Sequence, residues 1–371
     1  MLLVLRRGTC YKTRLAWTRR QHASMPAVEE VVWRVLREQA SEIVSREPKL
    51  EVLVRPTILN HGDFGSALVM RLSTKLRGEL LTKEFYADVF NECIEQSRGT
   101  PIDVTRLAME DLIACEQRDP ACKSIAQAFL YFKGLKSVQC YRMAHVLWTQ
   151  GRKDLAMTIQ ARCTEVFGVD LHPAAKIGGG LMIDHGTGVV VGETATVGHG
   201  CTFLHGVTLG STGKELGFDR HPKVGNHVFL GAQSTVLGNI SIGDHVTIGS
   251  GSLVLKPLPA GATAVGSPAV VKTIATTPPD SPSPLSTRHR KTLPPSSPLP
   301  PPSPLPLPLS SQIGGVNGDA AAAPPGAVAA LSVAEFARAE ASEAAQEAGS
   351  SAVDVVLWDG TVWRPKHFIA L

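Results

Sequence analysis

The chain has 371 residues, of which 43% are hydrophobic, 5% aromatic and 19% charged, and its formal net charge is +4. That length holds two modest domains, or one with long tails. The mild basic balance does not argue for nucleic acid, because much of it sits in the first residues as Arg6, Arg7, Lys12, Arg14, Arg19 and Arg20. Cys10, Cys93, Cys115, Cys122, Cys140, Cys163 and Cys201 are odd in number and form no CxxC. This excludes a disulfide scaffold or zinc finger and reads as free thiols in a reducing compartment.

Residues 1–25, MLLVLRRGTCYKTRLAWTRRQHASM, are Arg-rich and free of acids. The run MLLVL is too short for a secretory core or a membrane span. Residues 1–27 therefore read as a transit peptide for a chloroplast or mitochondrion; a start at Met25 would leave the protein cytoplasmic. Next, AVEEVVWRVLREQASEIVSR places Val28, Val31, Val32, Val35 and Leu36 at helical spacing. SIAQAFLYFKGLKSVQCYRMAHVLWTQ repeats the pattern, with Gly151 as a helix stop and Pro48, Pro56, Pro101 and Pro120 as punctuation. Residues 28–168 are predicted to be an all-α domain.

The pattern then changes. An aliphatic residue falls on every sixth position at Val224, Leu230, Val236, Ile242, Ile248 and Val254, with Gly225, Gly231, Gly243 and Gly249 after four of them. The same period runs through Leu171, Ile177 and Ile183, slips by two at Val189, and resumes at Val191, Val197, Phe203 and Leu209. Six is three strand repeats, the mark of a chain that coils with flat faces and turns a corner at each step, a parallel β-helix. Its narrow interior suits the low aromatic content, and its coils bury a core only by stacking. The stretch 211–223 breaks the period and reads as a loop thrown out of a coil. The fold class is thus α+β, an all-α front end followed by a β-helix over 169–274.

Residues 275–330 are rich in Pro, Ser and Ala and are predicted to be an extended linker. A short helix is expected over 331–347. VDVVLWDGTVW reads as two strands around Asp359-Gly360, an element that either docks on the core, binds a partner or forms a weakly ordered tail.

The chemistry-bearing residues fall on coil edges: Asp170, His172, Asp184, His185, Glu193, His199, His205, Lys214, Asp219, Arg220, His221 and Lys223. Histidine titrates near neutrality and suits a general base, usually with a carboxylate behind it. His185 is the candidate base and Asp170 the candidate carboxylate, although a coil of three hexads stacks position 170 near 188 rather than 185. GSTGK is not a phosphate-binding loop, since Glu215 follows Lys214. No GxGxxG indicates a dinucleotide, and no His pair has metal-ligand spacing.

The runs VDLHPAAKIGGGLMIDHGTGVVVGETATVG, FLHGVTLG, TGK, DRHPK, GAQSTVLGNISIGDHVTIGSGSLVLK and AVGSPA resemble serine O-acetyltransferases. RDPA (118–121) and YFKGLKSVQCYRMAHVLW (131–148) resemble the helical domain of the same enzymes, so the likeness covers roughly residues 30–272. It implies a left-handed β-helix and acetyl transfer from acetyl-CoA to L-serine, the entry step to cysteine, with no metal. It also implies roles: His185 as base, Asp170 orienting it, Asp119 and Asp184 on the serine ammonium, Arg220 on its carboxylate, and His221 near the hydroxyl. Ser211, Thr212, Gly213, Ala232 and Ser250 would line the pantetheine arm. The family forms trimers with the site between subunits, pairs trimers through the helical domains, and is inhibited by cysteine, which mimics serine.

There are departures. Ser211 stands where the family has Gly, Ser250 where it has Ala, and Thr247 where Lys is common. The family chain ends in Ile, which enters the active site of O-acetylserine sulfhydrylase; this chain ends His367-Phe368-Ile369-Ala370-Leu371, so that partner is implied only if Leu371 substitutes. No nucleic-acid or membrane partner is expected. Two rival readings remain, a hexapeptide acetyltransferase for a sugar or xenobiotic hydroxyl, and an inactive scaffold that binds through its tail.

Overall fold

The computed structural model describes residues 27–214, 218–275 and 355–366. The transit-peptide reading, nearly all of the linker, the helix expected over 331–347 and the last five residues lie outside them.

The front of the chain is helical: α1 (Val28–Arg46), α2 (Glu51–Val54), α3 (Phe64–Leu76), α4 (Lys83–Ser97), α5 (Val104–Arg118), α6 (Ile125–Tyr131), α7 (Lys133–Thr149) and α8 (Lys153–Phe167). Side-chain caps start four of them. Asp63, Thr82, Asp103 and Ser124 each accept a bond from a backbone N–H three residues on, satisfying donors that the first turn leaves open. The predicted α1 face is buried at Val31, Val32, Val35 and Leu36.

One expectation is corrected. The run from Ser124 to Gln150 is two helices, broken where Phe132 takes an extended conformation (φ −73°, ψ 117°). The bend lets α7 run against the β-helix as a helix buried on nearly every side. Gly151, with φ 80°, follows its end as expected. Gly168, left-handed at φ 67°, closes α8 and hands the chain to the first strand.

Short parallel strands then stack into three sheets. The first sheet holds β1 (Val169–Leu171), β4 (Val189–Val191), β7 (Thr208–Gly210), β10 (Thr235–Leu237) and β13 (Leu253–Val254). The second holds β2 (Lys176–Ile177), β5 (Thr196–Val197), β8 (Lys223–Val224) and β11 (Ser241–Ile242). The third holds β3 (Met182–Ile183), β6 (Thr202–Phe203), β9 (Phe229–Leu230), β12 (Thr247–Ile248) and β14 (Ala262–Gly266), and is closed by antiparallel β15 (Ala269–Ile274). Every hexad position named above is buried. Gly231 shows why small residues follow: a Cβ there would sit 2.6 Å from the backbone nitrogen of Ser250 in the next coil.

The register corrects a second expectation. Asp170 pairs with Val190, not with position 188, because the first coil has two residues more than three hexads. The next coil has the regular length, pairing Val191 with Leu209, and the loop after β7 then delays Leu209's partner to Val236. The two extra residues lie in the corner between β3 and β4, where His185, Gly186 and Gly188 all have positive φ.

The helices are fastened to the first coil by buried polar groups. Arg142 of α7 makes a two-pronged ion pair with Asp111 of α5 (2.7 and 2.8 Å), both almost wholly buried. Arg142 also donates to the Gly178 carbonyl (2.9 Å), and Asp111 accepts from the Leu181 N–H (2.8 Å). Tyr141 donates to the Ala175 carbonyl (2.5 Å), and Arg118 donates to Gly180, Gly200, Cys201 and Thr202.

Residues 355–366 form the expected hairpin, β16 (Val355–Val356) and β17 (Val362–Trp363), turning at Asp359-Gly360. Of the three readings open for it, docking on the core is the one found: Trp363 is fully buried against the helical domain. Cys93, Cys115, Cys122, Cys140, Cys163 and Cys201 are free and buried.

Lys136 of α7 and Arg71 of α3 are also buried, 5% and 7% exposed, and both donate to the Leu130 carbonyl. Neither has a carboxylate partner among the described residues. Burial, with Arg71 and Lys75 nearby, pulls the Lys136 ammonium down from 10.5 to about 7. Phe64, Leu68, Leu112 and Phe129 line the same space. Lys136→Met should therefore raise stability at pH 7 by about 1 kcal/mol, or about 2–4 °C in Tm. Since the folded value lies below the unfolded one, wild-type stability rises with pH between about 7 and 10.5, and the advantage of methionine should shrink over that window. Thermal melts at pH 7 and 10 check both.

Candidate functional site

Corners between the third and first sheets carry one column of residues. Asp184 and His185 follow β3; His205 follows β6; Ala232 follows β9; Ser250 follows β12. The strand registers stack 185 on 205, 205 on 232 and 232 on 250. The His185 and His205 rings meet edge to face at 5.9 Å. His185 Nε2 is 3.4 Å from Asp184 Oδ2, and its side chain is 73% exposed, open to a substrate. Its φ of 56° recurs at His227, Gln233 and His245, so it belongs to the corner geometry and is not a strain peculiar to this residue.

Asp184 is half-buried. Desolvation raises its carboxyl above the usual range; His185 opposes this, and the negative charge of Asp119 adds to it. Asp119 caps the C-terminus of α5 and accepts from the Ala121 N–H (2.8 Å). Two acids and an imidazole thus converge on one open corner. The corner is braced from below: α7 starts so close to β3 that a Cβ at Gly134 would overlap the Ile183 carbonyl, and Lys133 Nζ donates to Thr187.

The corners between the first and second sheets carry the other candidates. Asp170 lies in β1 and accepts from Gln160 Nε2 of α8 (2.5 Å). His172 follows it and meets Trp148 edge-on. One coil on, Glu193 pairs with Arg220 at 3.0 Å. Thr194 receives the backbone N–H groups of Arg220 and His221 on its hydroxyl (both 3.1 Å) and donates its own N–H to His221 Nδ1 (3.1 Å). A ring nitrogen that accepts carries no proton, so neutral His221 keeps its hydrogen on Nε2. Burial first, then the charges of Arg220 and Lys223, pull its titration below the ordinary imidazole range. Ser211, Thr212 and Gly213 leave this corner after β7, with the Gly213 N–H donating to Ser211 Oγ (3.0 Å) and the Lys214 N–H to Thr212 Oγ1 (3.2 Å).

Within one chain the sequence-named residues therefore fall into two groups. Asp119, Asp184, His185, Ala232 and Ser250 share one edge. Asp170, Arg220, His221 and the 211–213 loop share another, across the first sheet. Asp170 meets Gln160, not His185. Sequence reasoning gave no role to His205, Glu193 or Gln160. His205 was within reach of it, because the slip at Val189 sets a 20-residue coil and 185 stacks on 205. Glu193 and Gln160 become visible only once the coils and α8 are placed.

Two family models match the chain: serine acetyltransferase, N-terminal, over residues 32–140, and the bacterial transferase hexapeptide (six repeats) over residues 221–256. The chain is 45% identical over 238 residues to serine acetyltransferase 2 of Arabidopsis thaliana, covering 64% of this chain and 72% of that one. It is 47% identical over 251 residues to the chloroplastic serine acetyltransferase 1 of the same plant, covering 68% and 78%. Among solved structures, soybean serine acetyltransferase complexed with serine superposes with a TM-score of 0.62 at 42% identity, over 66% of this chain and 98% of that one.

The approach of Gly134 to Ile183 yields a prediction. Gly134→Ala gains up to about 1 kcal/mol of helix propensity but forces α7 off β3, for a net loss of about 2 kcal/mol. Tm should fall by about 4–8 °C; an unchanged melt would mean the helix can retreat without cost.

Proposed function

The chain belongs to the serine acetyltransferase family, and we propose that it transfers the acetyl group of acetyl-CoA to the hydroxyl of L-serine, giving O-acetyl-L-serine and CoA. The observation that carries the reading is the corner where exposed His185 stands beside half-buried Asp184, with the negative charge of Asp119 close enough to add to the rise of the Asp184 carboxyl. Serine is a zwitterion with a hydroxyl, so it calls for acids, a cation and a base in one place. His185 takes the hydroxyl proton as the oxygen attacks the thioester carbonyl. The C–O bond forms, the C–S bond breaks, and the imidazolium returns the proton to the departing sulfur. A positioned base contributes roughly 10²- to 10⁴-fold.

Asp184 and Asp119 hold the ammonium. Their mutual repulsion and the burial of Asp184 make a cation there favourable. Arg220, which now donates through one nitrogen to Glu193, holds the carboxylate with its guanidinium. His221 presents its Nε2–H near the hydroxyl. Asp170 orients His185 and stabilises its charged form. Ser211, Thr212, Gly213, Ala232 and Ser250 line the pantetheine arm of acetyl-CoA; small side chains on an open corner fit an extended thioester chain.

These roles need both edges at once, so we assign the site to the junction of two subunits in a homotrimer, with two trimers joined through the helical domains. His185 of one subunit then works with Asp170, Arg220 and His221 of the next. Residues 1–27 serve as a transit peptide to a chloroplast or mitochondrion, in keeping with the chloroplastic relative.

Thiol release from acetyl-CoA should require L-serine and not a sugar; release with other hydroxyls, or none, overturns the reading. His185→Ala should lower kcat by about 10³-fold without unfolding the protein. Co-expressed His185→Ala and Arg220→Met chains, each inactive alone, should recover on the order of a quarter of wild-type turnover, because random mixing restores intact junctions. No recovery would place the whole site in one chain.

A further inference from the structure

We propose that the C-terminal hairpin is a brace for the turn that carries Asp119, and that it thereby sets the affinity for the amino-acid substrate; the substrate half of this rests on the role of Asp119 proposed above.

The turn between α5 and α6, residues 119–124, is short, and its own bonds are local: Asp119 Oδ1 accepts the Ala121 N–H (2.8 Å), Gln127 Oε1 accepts the Lys123 N–H (2.7 Å), and Lys123 Nζ donates to the Pro120 carbonyl (3.0 Å). Asp119 donates its N–H to the Cys115 carbonyl and accepts the Cys122 N–H, both at 3.1 Å. On the β-helix side, Arg118 ties the end of α5 to the coils at Gly180, Gly200, Cys201 and Thr202. On the opposite side, the hairpin holds the turn before and after Asp119. Trp363 donates its indole N–H to Glu116 Oε2 (2.8 Å), a contact spanning 247 residues of chain. Lys366 Nζ donates to the Cys122 carbonyl (2.9 Å). Gln39 of α1 links the two: its Nε2 donates to the Lys366 carbonyl (3.0 Å) and its Oε1 accepts the Ala126 N–H (3.1 Å). Trp358 anchors the hairpin to Glu29 of α1 (3.2 Å).

Points 116, 122 and 126 therefore bracket Asp119, and each is held directly or through Gln39 by the hairpin. The contact at 116 bears most. Glu116 is buried, its Oε1 has no hydrogen-bond partner among the described residues, and burial pushes its carboxyl up to about 7. The indole N–H is thus the side-chain donor that makes a carboxyl tolerable there. Trp363, fully buried, holds that donor in place by packing. Without it, Glu116 keeps only the backbone groups of Lys366 and Ile125 to offset its burial, so the C-terminal turn of α5 with its cap Asp119 is held less firmly. Asp119 would then lose its setting against Asp184.

The test uses the full chain with Trp363→Phe, which keeps an aromatic ring and removes the N–H. Hydrogen–deuterium exchange of the amides at 119–124 should quicken by about tenfold. KM for L-serine should rise roughly fivefold while kcat and KM for acetyl-CoA stay within about twofold. Glu116→Gln keeps an acceptor for the indole and should remain near wild type in both readouts, which a merely structural loss would not spare. If Trp363→Phe fails to fold, Lys366→Met removes only the 122 contact and should shift both readouts in the same direction by less. Unchanged exchange in the turn overturns the brace. Faster exchange with an unchanged serine KM overturns its link to affinity if Asp119→Asn alone raises that KM. If Asp119→Asn also leaves it unchanged, the role given to Asp119 fails and the brace stands on exchange.

Discussion

The pair formed by Arg142 and Asp111 is the constraint on which the rest of the structure depends. Two full charges lie almost wholly out of water, and each also bonds the first coil: Arg142 donates to the Gly178 carbonyl and Asp111 accepts the Leu181 N–H, while Gln139 of α7 donates to the same Asp111 carboxylate. Desolvating such a pair costs several kcal/mol per ion, so its net contribution to stability is small, whereas losing one partner leaves the other stranded at about 3–5 kcal/mol. Its effect is to exclude alternatives. An apolar interface would let α5 and α7 slide along the coils; this one is satisfied at a single register. That register places Gly134 against Ile183, and Asp184 and His185 are the next residues of the chain.

Coil length does the rest. A β-helix of uniform 18-residue coils would stack identical corners, with nothing to distinguish one from another. Here the first coil has two added residues at the corner of His185, and a later one throws out the loop that carries Arg220 and His221. The two irregularities sit on different edges of the same three-sided stack. Regular hexads supply the core, and departures from the hexad supply the chemistry. A single chain presents acids and base on one edge and the cation on another, an arrangement that makes chemical sense when edges of adjacent copies meet.

Much of this was legible in the sequence. The aliphatic hexads name the interior of the β-helix from Leu171 to Val254, because a strand repeat with a corner every third step leaves no other place for them. Asp359-Gly360 marks the hairpin for a similarly local reason, the positive φ of Gly360. What escaped was set at a distance. The break at Phe132 depends on what α7 packs against, not on the helical propensity of its neighbours. The pairing of Asp170 with Val190 follows from the slip at Val189 only once the slip is assigned to the coil and not to the pattern. The partners of Asp170 and Arg220, and the seat of Trp363, come from segments that no local periodicity connects to them.

The charges at the two edges are already engaged before any substrate arrives. Arg220 rests on Glu193, and His185 lies beside Asp184. On the proposed reading, binding therefore exchanges partners and does not neutralise bare ions. The substrate carboxylate takes the Arg220 guanidinium from Glu193, and the ammonium joins Asp184 where the neighbouring charge of Asp119 already disfavours two negative groups alone. Such exchange keeps the desolvation cost of binding low, since each group gives up a protein partner and not a full shell of water. It also explains why the position of Asp119 matters more than its own bonds suggest. A shift of that carboxylate changes how far the Asp184 carboxyl is raised, and Asp184 is, on the proposed reading, the group that both faces the ammonium and lies beside the His185 imidazole.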